Sequence, residues 1–191
     1  MDFSFKIKTG IEPGAGKILI AEPLLSDPHF QRSVVYLCSH KEEGSFGLVL
    51  NKPLDKTLDY FIESLNREDI PIYLGGPVDS TSIHFMHTKV SLLGGEQAGE
   101  GIYVDGDFQL AISLLEDGTL KPENILFFVG YSGWGFEQLQ DEIERKSWLV
   151  SNTNQAQIFK QEKETLWKDA ILALDKEFHV LTKLPLDPSL N

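Results

Sequence analysis

A single cysteine, Cys38, stands among 191 residues, which excludes an internal disulfide. A reducing, cytoplasmic setting is therefore expected. Long apolar runs are also missing: none approaches the ~18–20 residues that a membrane span needs. The opening MDFSFKIKTG lacks the apolar block of a secretory signal. Positive charge is scarce. Lys and Arg number 17 against 29 Asp and Glu, a net charge of −12, so nucleic acid or an anionic membrane surface would repel the chain. The basic residues are scattered, and neither helix-turn-helix spacing nor an RNA-binding aromatic signature occurs. Repeats, low-complexity tracts and long linkers are absent too. What is present suffices for a core, since 41% hydrophobic and 10% aromatic residues exclude intrinsic disorder. The expected organisation is a loosely held arm over residues 1–15, running into the turn-prone EPGAG, and one domain over residues 16–191.

Apolar segments and turn signals alternate from there on. Strands are expected at Lys17–Ala21, at Ser33–Ser39, which is apolar enough to be buried on both faces, and at Phe46–Asn51, pairing back as a hairpin. Leu58, Phe61, Ile62 and Leu65 form one helical stripe with Thr57 as its cap. Ile70–Leu74 reads as a strand ended by Gly75-Gly76-Pro77, with Ser82–His87 as its return. Gly94 to Gly101 reads as an exposed, mobile loop, followed by a short strand at Ile102–Val104. Phe108, Ala111, Ile112 and Leu115 repeat the helical stripe, with Asp107 as cap and Gly118 as stop. Ile125–Val129 reads as an apolar strand. The glycine-rich turn Gly130–Gly135 then leads into a helix with Phe136, Leu139 and Ile143 inward and Glu137, Asp141, Glu142 and Arg145 in water. Trp148–Val150 reads as a strand and Leu166–Leu174 as a last helix packing Trp167, Ile171 and Leu174. Hairpins between single helices define an α+β fold with a mixed, strongly curved sheet.

The blocks GKILIAEPLLSDPHFQRSVVYLCSHKEEGSFGLVLNKPL, YLGGPV and GYSGWGFEQLQDEIERKSWL, in this order between about Gly16 and Val150, resemble the AlgH/YqgE family of bacterial proteins. The closing LPLDPSLN is similar to that family's tail. Lys52 stands where many members have arginine, and Ser45 where alanine is common. The resemblance implies a bifurcated β-sheet rolled into a pseudo-barrel with flanking helices. Its functional implication is thin: most members are uncharacterised and some carry the label of transcriptional regulator. No catalytic residues are agreed for the family, so none carries over.

The residues themselves offer several constellations. In Gly130–Gly135, Ser132 between an apolar strand and a helix suggests a nucleophile, but Trp134 fills the place where a nucleophile elbow needs glycine. Ser132, Gly133, Trp134 and Gly135 could instead hold an anion or small ligand on backbone N–H groups, or simply form a tight turn. Cys38 and His40 share a strand face and could pair as thiolate and imidazole, although Cys38 ends a buried run. His84 and His87, three apart on a strand, point to opposite faces, with no completing ligand for a metal. Arg32 and Asn51 either grip a carboxylate or phosphate at a cleft edge or, with Asp27, hold the irregular connection before Ser33. No cofactor is expected. The functional expectation is a non-catalytic binding or regulatory domain that meets a protein partner or a small anionic ligand at Arg32, Asn51 and Ser132–Gly135. The alternative is a hydrolase or thiol enzyme centred on Ser132 or Cys38.

Overall fold

Short β-branched and apolar runs, broken by acidic and glycine turns, form ten strands in the computed structural model, which describes residues 10–160, 163–174 and 181–183. They are β1 (Ile18–Ala21), β2 (Val34–Lys41), β3 (Gly44–Val49), β4 (Pro53–Thr57), β5 (Pro71–Leu74), β6 (Val78–His87), β7 (Glu96–Gly99), β8 (Ile102–Val104), β9 (Ile125–Trp134) and β10 (Trp148–Ser151). The helices are α1 (Val90–Leu93), α2 (Phe108–Glu116), α3 (Gln138–Glu144), α4 (Gln155–Ile158) and α5 (Leu166–Leu174). The residues expected in the arm up to position 9 and the LPLDPSLN tail lie outside the described residues. All ten strands join one sheet in the order β10-β1-β2-β3-β9-β6-β8-β7, with β5 and β4 branching from β9. Every pairing is antiparallel except β5 with β9. The fold is α+β, and the bifurcated sheet curls without closing. Across the open seam, the Tyr36 hydroxyl of β2 donates to the Ala98 carbonyl of β7 at 3.0 Å.

The bifurcation lies in β9. Ile125–Val129 is flanked by β5 and β6, while Ser132–Trp134 pairs with Gly47–Ser45 of β3. One edge of β9 thus serves β5 first and β3 afterwards. The change of partner forces backbones together, and glycine permits it. A Cβ on Gly75 would strike the Gly130 carbonyl, and one on Gly76 the backbone of Tyr131. Gly130 takes φ +64° beneath the Val78 and Gly76 carbonyls. The Gly75 amide donates to Val129, and its carbonyl accepts from Val49 N–H at 2.9 Å and from the Ser132 hydroxyl at 3.0 Å. Side chains alternating along β9 feed two cores: Leu126 and Phe128 enter the larger with β1, β2 and β10, whereas Ile125, Phe127 and Val129 enter the smaller beneath α2.

Several segments depart from the pattern read in the sequence. Gly130–Gly135 is no turn, because residues up to Trp134 continue the strand and only Gly130 bends it. The Leu58–Leu65 stripe gives one 3₁₀ turn, Leu58–Tyr60, and Thr57 makes no side-chain cap. There, Leu58 N–H donates to the Ile70 carbonyl, tying the turn to the start of β5. Leu58 and Leu65 are nevertheless buried while Tyr60 is exposed. The segment expected as a mobile loop from Gly94 to Gly101 contains strand β7, with Ala98 fully buried. Strand β6 returns not on β5 but on β9, which separates them. Helix α3 starts at Gln138, leaving Phe136 67% exposed instead of inward. Glu142 does not face water alone: its Oε2 accepts from the indole N–H of Trp134 at 2.9 Å and of Trp148 at 2.8 Å. By contrast, α2 is capped by Asp107, whose side chain accepts from Leu110 N–H, and α5 buries Trp167 and Ile171 as expected.

Gly130→Ala should destabilise the fold by about 2–3 kcal/mol, since it adds a Cβ 2.6 Å from the Val78 carbonyl to a left-handed backbone. Gly118→Ala is the control, because Gly118 also has positive φ but open space around it. Its cost should stay near ~1 kcal/mol. Urea midpoints of the two variants read the difference, and equal midpoints would contradict the bifurcation as the tight point.

Candidate functional site

The expected site residues fall in different surroundings. Asn51 is engaged by the backbone of β2's entry: its Oδ1 accepts from Val34 N–H and its Nδ2 donates to the Arg32 carbonyl, both at 2.8 Å. Arg32 takes φ +52°, and its guanidinium carbon lies 5.2 Å from the Trp167 ring centroid, a cation–π contact that ties the connection to α5. Asp27 accepts from His29 N–H, closing the turn before it. Lys52 adds a bond from its ammonium to the Pro28 carbonyl at 3.4 Å. Ser132 is fully buried, with its hydroxyl on the Gly75 carbonyl. Trp134 is buried against Phe30 and Trp148. Gly133 and Trp134 border an open surface with Ser45 and Phe46, and Gly135 borders a smaller pocket of about 180 Å³ with His40 and Leu139. Ser132–Trp134 pair with Gly47–Ser45 of β3, and Asn51 lies beyond the end of that strand. The structure brings Arg32 and Asn51 together through the Asn51 amide, and Trp134 stacks on Phe30 of the same connection.

Cys38 and His40 do not meet as a pair. A bulge between Leu37 and Ser39 leaves Cys38 without a partner residue in β3 and turns the strand. The Cys38 thiol is buried 3.8 Å from the Tyr36 carbonyl, while His40 Nδ1 bonds the Ser45 hydroxyl at 2.7 Å. Burial, helped by the nearby charge of Asp105, pushes the Cys38 thiol well above its ordinary pKa.

A different group of residues converges at the seam. The bulge turns Cys38 and Ser39 toward a cleft of about 440 Å³ that Phe46 of β3 walls on one side and His84, Glu96, Val104 and Asp105 on the other. Asp105, just after β8, organises this second wall. It holds φ +54°, its Oδ1 accepts from Phe85 N–H at 3.1 Å, and its Oδ2 bonds His84 Nδ1 at 2.9 Å. Its carbonyl receives His87 Nε2 at 3.0 Å. Since His87 Nδ1 accepts from Lys89 N–H, the His87 ring is neutral with its proton on Nε2. Both histidines thus serve one aspartate from opposite faces of β6, His87 in the core and His84 in the cleft. His84 is 21% exposed, and its ring meets Phe46 and Tyr131 edge-on at 5.3 and 5.7 Å between centroids. Nδ1 donates to the carboxylate, and Nε2 makes no hydrogen bond among the described residues. Among those residues, no three His, Cys, Asp or Glu side chains are placed to hold one metal ion. The sequence reading missed this cleft. A solitary aspartate beside Gly106 carried no motif, and only the fold brings it to position 84.

A family model described as AlgH-like matches residues 18–179, and the chain belongs to that family. It is 41% identical to a UPF0301 protein of Parabacteroides distasonis, over 98% of this chain and 96% of that one. A UPF0301 protein of Cytophaga hutchinsonii is 38% identical over 92% and 98%. Among solved structures, the AlgH protein from Pseudomonas aeruginosa is 27% identical, with a TM-score of 0.67 over 90% of this chain and 94% of that one. A protein from Corynebacterium diphtheriae shares the fold at TM-score 0.73 and 21% identity, covering 91% and 94%. Among the described residues, no helix is long and apolar enough to cross a membrane.

Two outcomes test this geometry. Iodoacetamide should alkylate Cys38 at least roughly tenfold more slowly in the folded protein than in urea at the same pH, as mass spectrometry would read. Equal rates would place the thiol at the surface. Burial also pulls the His87 pKa below 6.5, against the raising effect of the Asp105 carbonyl. The unfolded chain then binds a proton that the folded one refuses, so stability falls as pH drops through and below 6.5. The urea midpoint of His87→Gln should fall less between pH 7 and 5 than that of the unsubstituted protein, and an equal fall would contradict the assignment.

Proposed function

We propose that this chain is a non-catalytic binding domain of the cytoplasm, and that the seam cleft is its recognition site. The observation that carries the reading is the His84–Asp105 pair. A carboxylate fixes one nitrogen of an imidazole that lines a cavity with an aromatic wall, and the other nitrogen makes no hydrogen bond among the described residues. Such an arrangement orients the ring in advance and leaves one nitrogen to meet a ligand. The hydrolase or thiol reading centred on Ser132 or Cys38 draws no support from the burial of both groups. A regulatory role, as the transcriptional label of relatives suggests, would then run through occupancy of the cleft and a protein partner. The acidic chain gives a duplex little to hold.

A fragment library followed by backbone amide NMR tests the reading. Binding fragments should shift Ser39, Phe46, His84, Val104 and Asp105 together, and His84→Ala should abolish those shifts while melting stays cooperative. Shifts confined to other faces, or none across the library, would overturn it.

A further inference from the structure

We propose that the seam cleft takes a small organic cation, an amine or amidine-type head carried on a flat apolar body. This deepens the binding reading above and rests on it. The charged groups that line the cleft are the carboxylates of Glu96 and Asp105, and no lysine or arginine lines it. Glu96 stands at the start of β7, exposed and facing Val104 across the strand pair. Phe46 supplies the apolar wall, half-buried between the rings of His84 and Tyr131. An aromatic face beside carboxylates attracts a cation by two effects at once, the ring quadrupole and direct charge.

Hydrogen bonding points the same way. In its neutral form, an imidazole whose Nδ1–H is tied to a carboxylate offers Nε2 as an acceptor, and the ligand atom that matches this form donates. Ammonium and amidinium groups donate and accept nothing. A carboxylate or phosphate ligand would instead set acceptor against acceptor and charge against like charge. A bare metal ion fits less well, since the imidazole, thiol and carboxylates do not converge on one point.

Three probes with one ring and different charge decide the matter: benzamidine, benzamide and benzoate, titrated into the intact protein by amide NMR. Benzamidine should bind at least about tenfold more tightly than benzamide, with benzoate weaker still. Its shifts should centre on Phe46, His84 and Asp105. Glu96→Gln, an exposed and shape-conserving change, should weaken benzamidine several-fold while leaving benzamide unaltered. Phe46→Leu should weaken both. Cleft binding without charge preference, or with preference for benzoate, overturns the cation inference but leaves the binding reading standing. Failure of all three probes and of the wider library to enter the cleft overturns both.

Discussion

One strand serves two half-sheets. Strand β9 is paired along one edge by β5 and then by β3, and that change requires Gly75, Gly76 and Gly130 to pass within distances that no Cβ allows. The Ser132 hydroxyl completes the junction by satisfying a second bond to the Gly75 carbonyl, in a place that water does not reach. From this point the β10-β1-β2-β3 arm and the β6-β8-β7 arm leave in different directions, and each face of β9 fills its own core. The curl of the whole molecule follows from where the partners change.

A sheet that curls without closing has a seam, and the seam is where polar chemistry collects. Tyr36 bridges it at one level by its bond to Ala98. Beside that bridge the bulge at Cys38 opens β2, and Asp105 pins β6 from the other wall through the Phe85 amide and both histidines. Asp105 holds a left-handed backbone to do so, a conformation that costs free energy and persists only because its surroundings determine it. Strain and a prearranged imidazole in one cavity set this cleft apart from the surfaces beside Gly133 and Gly135.

Much of the fold was legible in the sequence because local and tertiary preferences agreed there. Asp107 before the Phe108–Leu115 stripe, the buried run of β2 and the Trp167–Ile171 face all adopt the structure their spacing encodes. Misreadings cluster where glycine was taken for a turn. Within GYSGW and GGEQAG, Gly130, Gly95 and Gly99 relieve close approach, and only their distant neighbours, Val78, Asp105 and Tyr36, reveal it. The candidate site was harder to read. Arg32, Asn51 and Ser132 are polar residues in apolar surroundings, which is also the signature of groups that satisfy buried backbone, as Asn51 and Ser132 do. His84 carried a signal, but its partner lies 21 residues away and nothing local announces it.

Everything proposed for the cleft depends on Asp105 holding the Nδ1 proton of His84 and so leaving Nε2 of the neutral ring bare. Imidazole ¹⁵N NMR at neutral pH measures this without any ligand. The neutral form of the His84 ring should carry its proton on Nδ1, with a Nε2 shift typical of an unprotonated nitrogen, and lose that fixed tautomer in Asp105→Asn. A ring with its proton on Nε2 would contradict it.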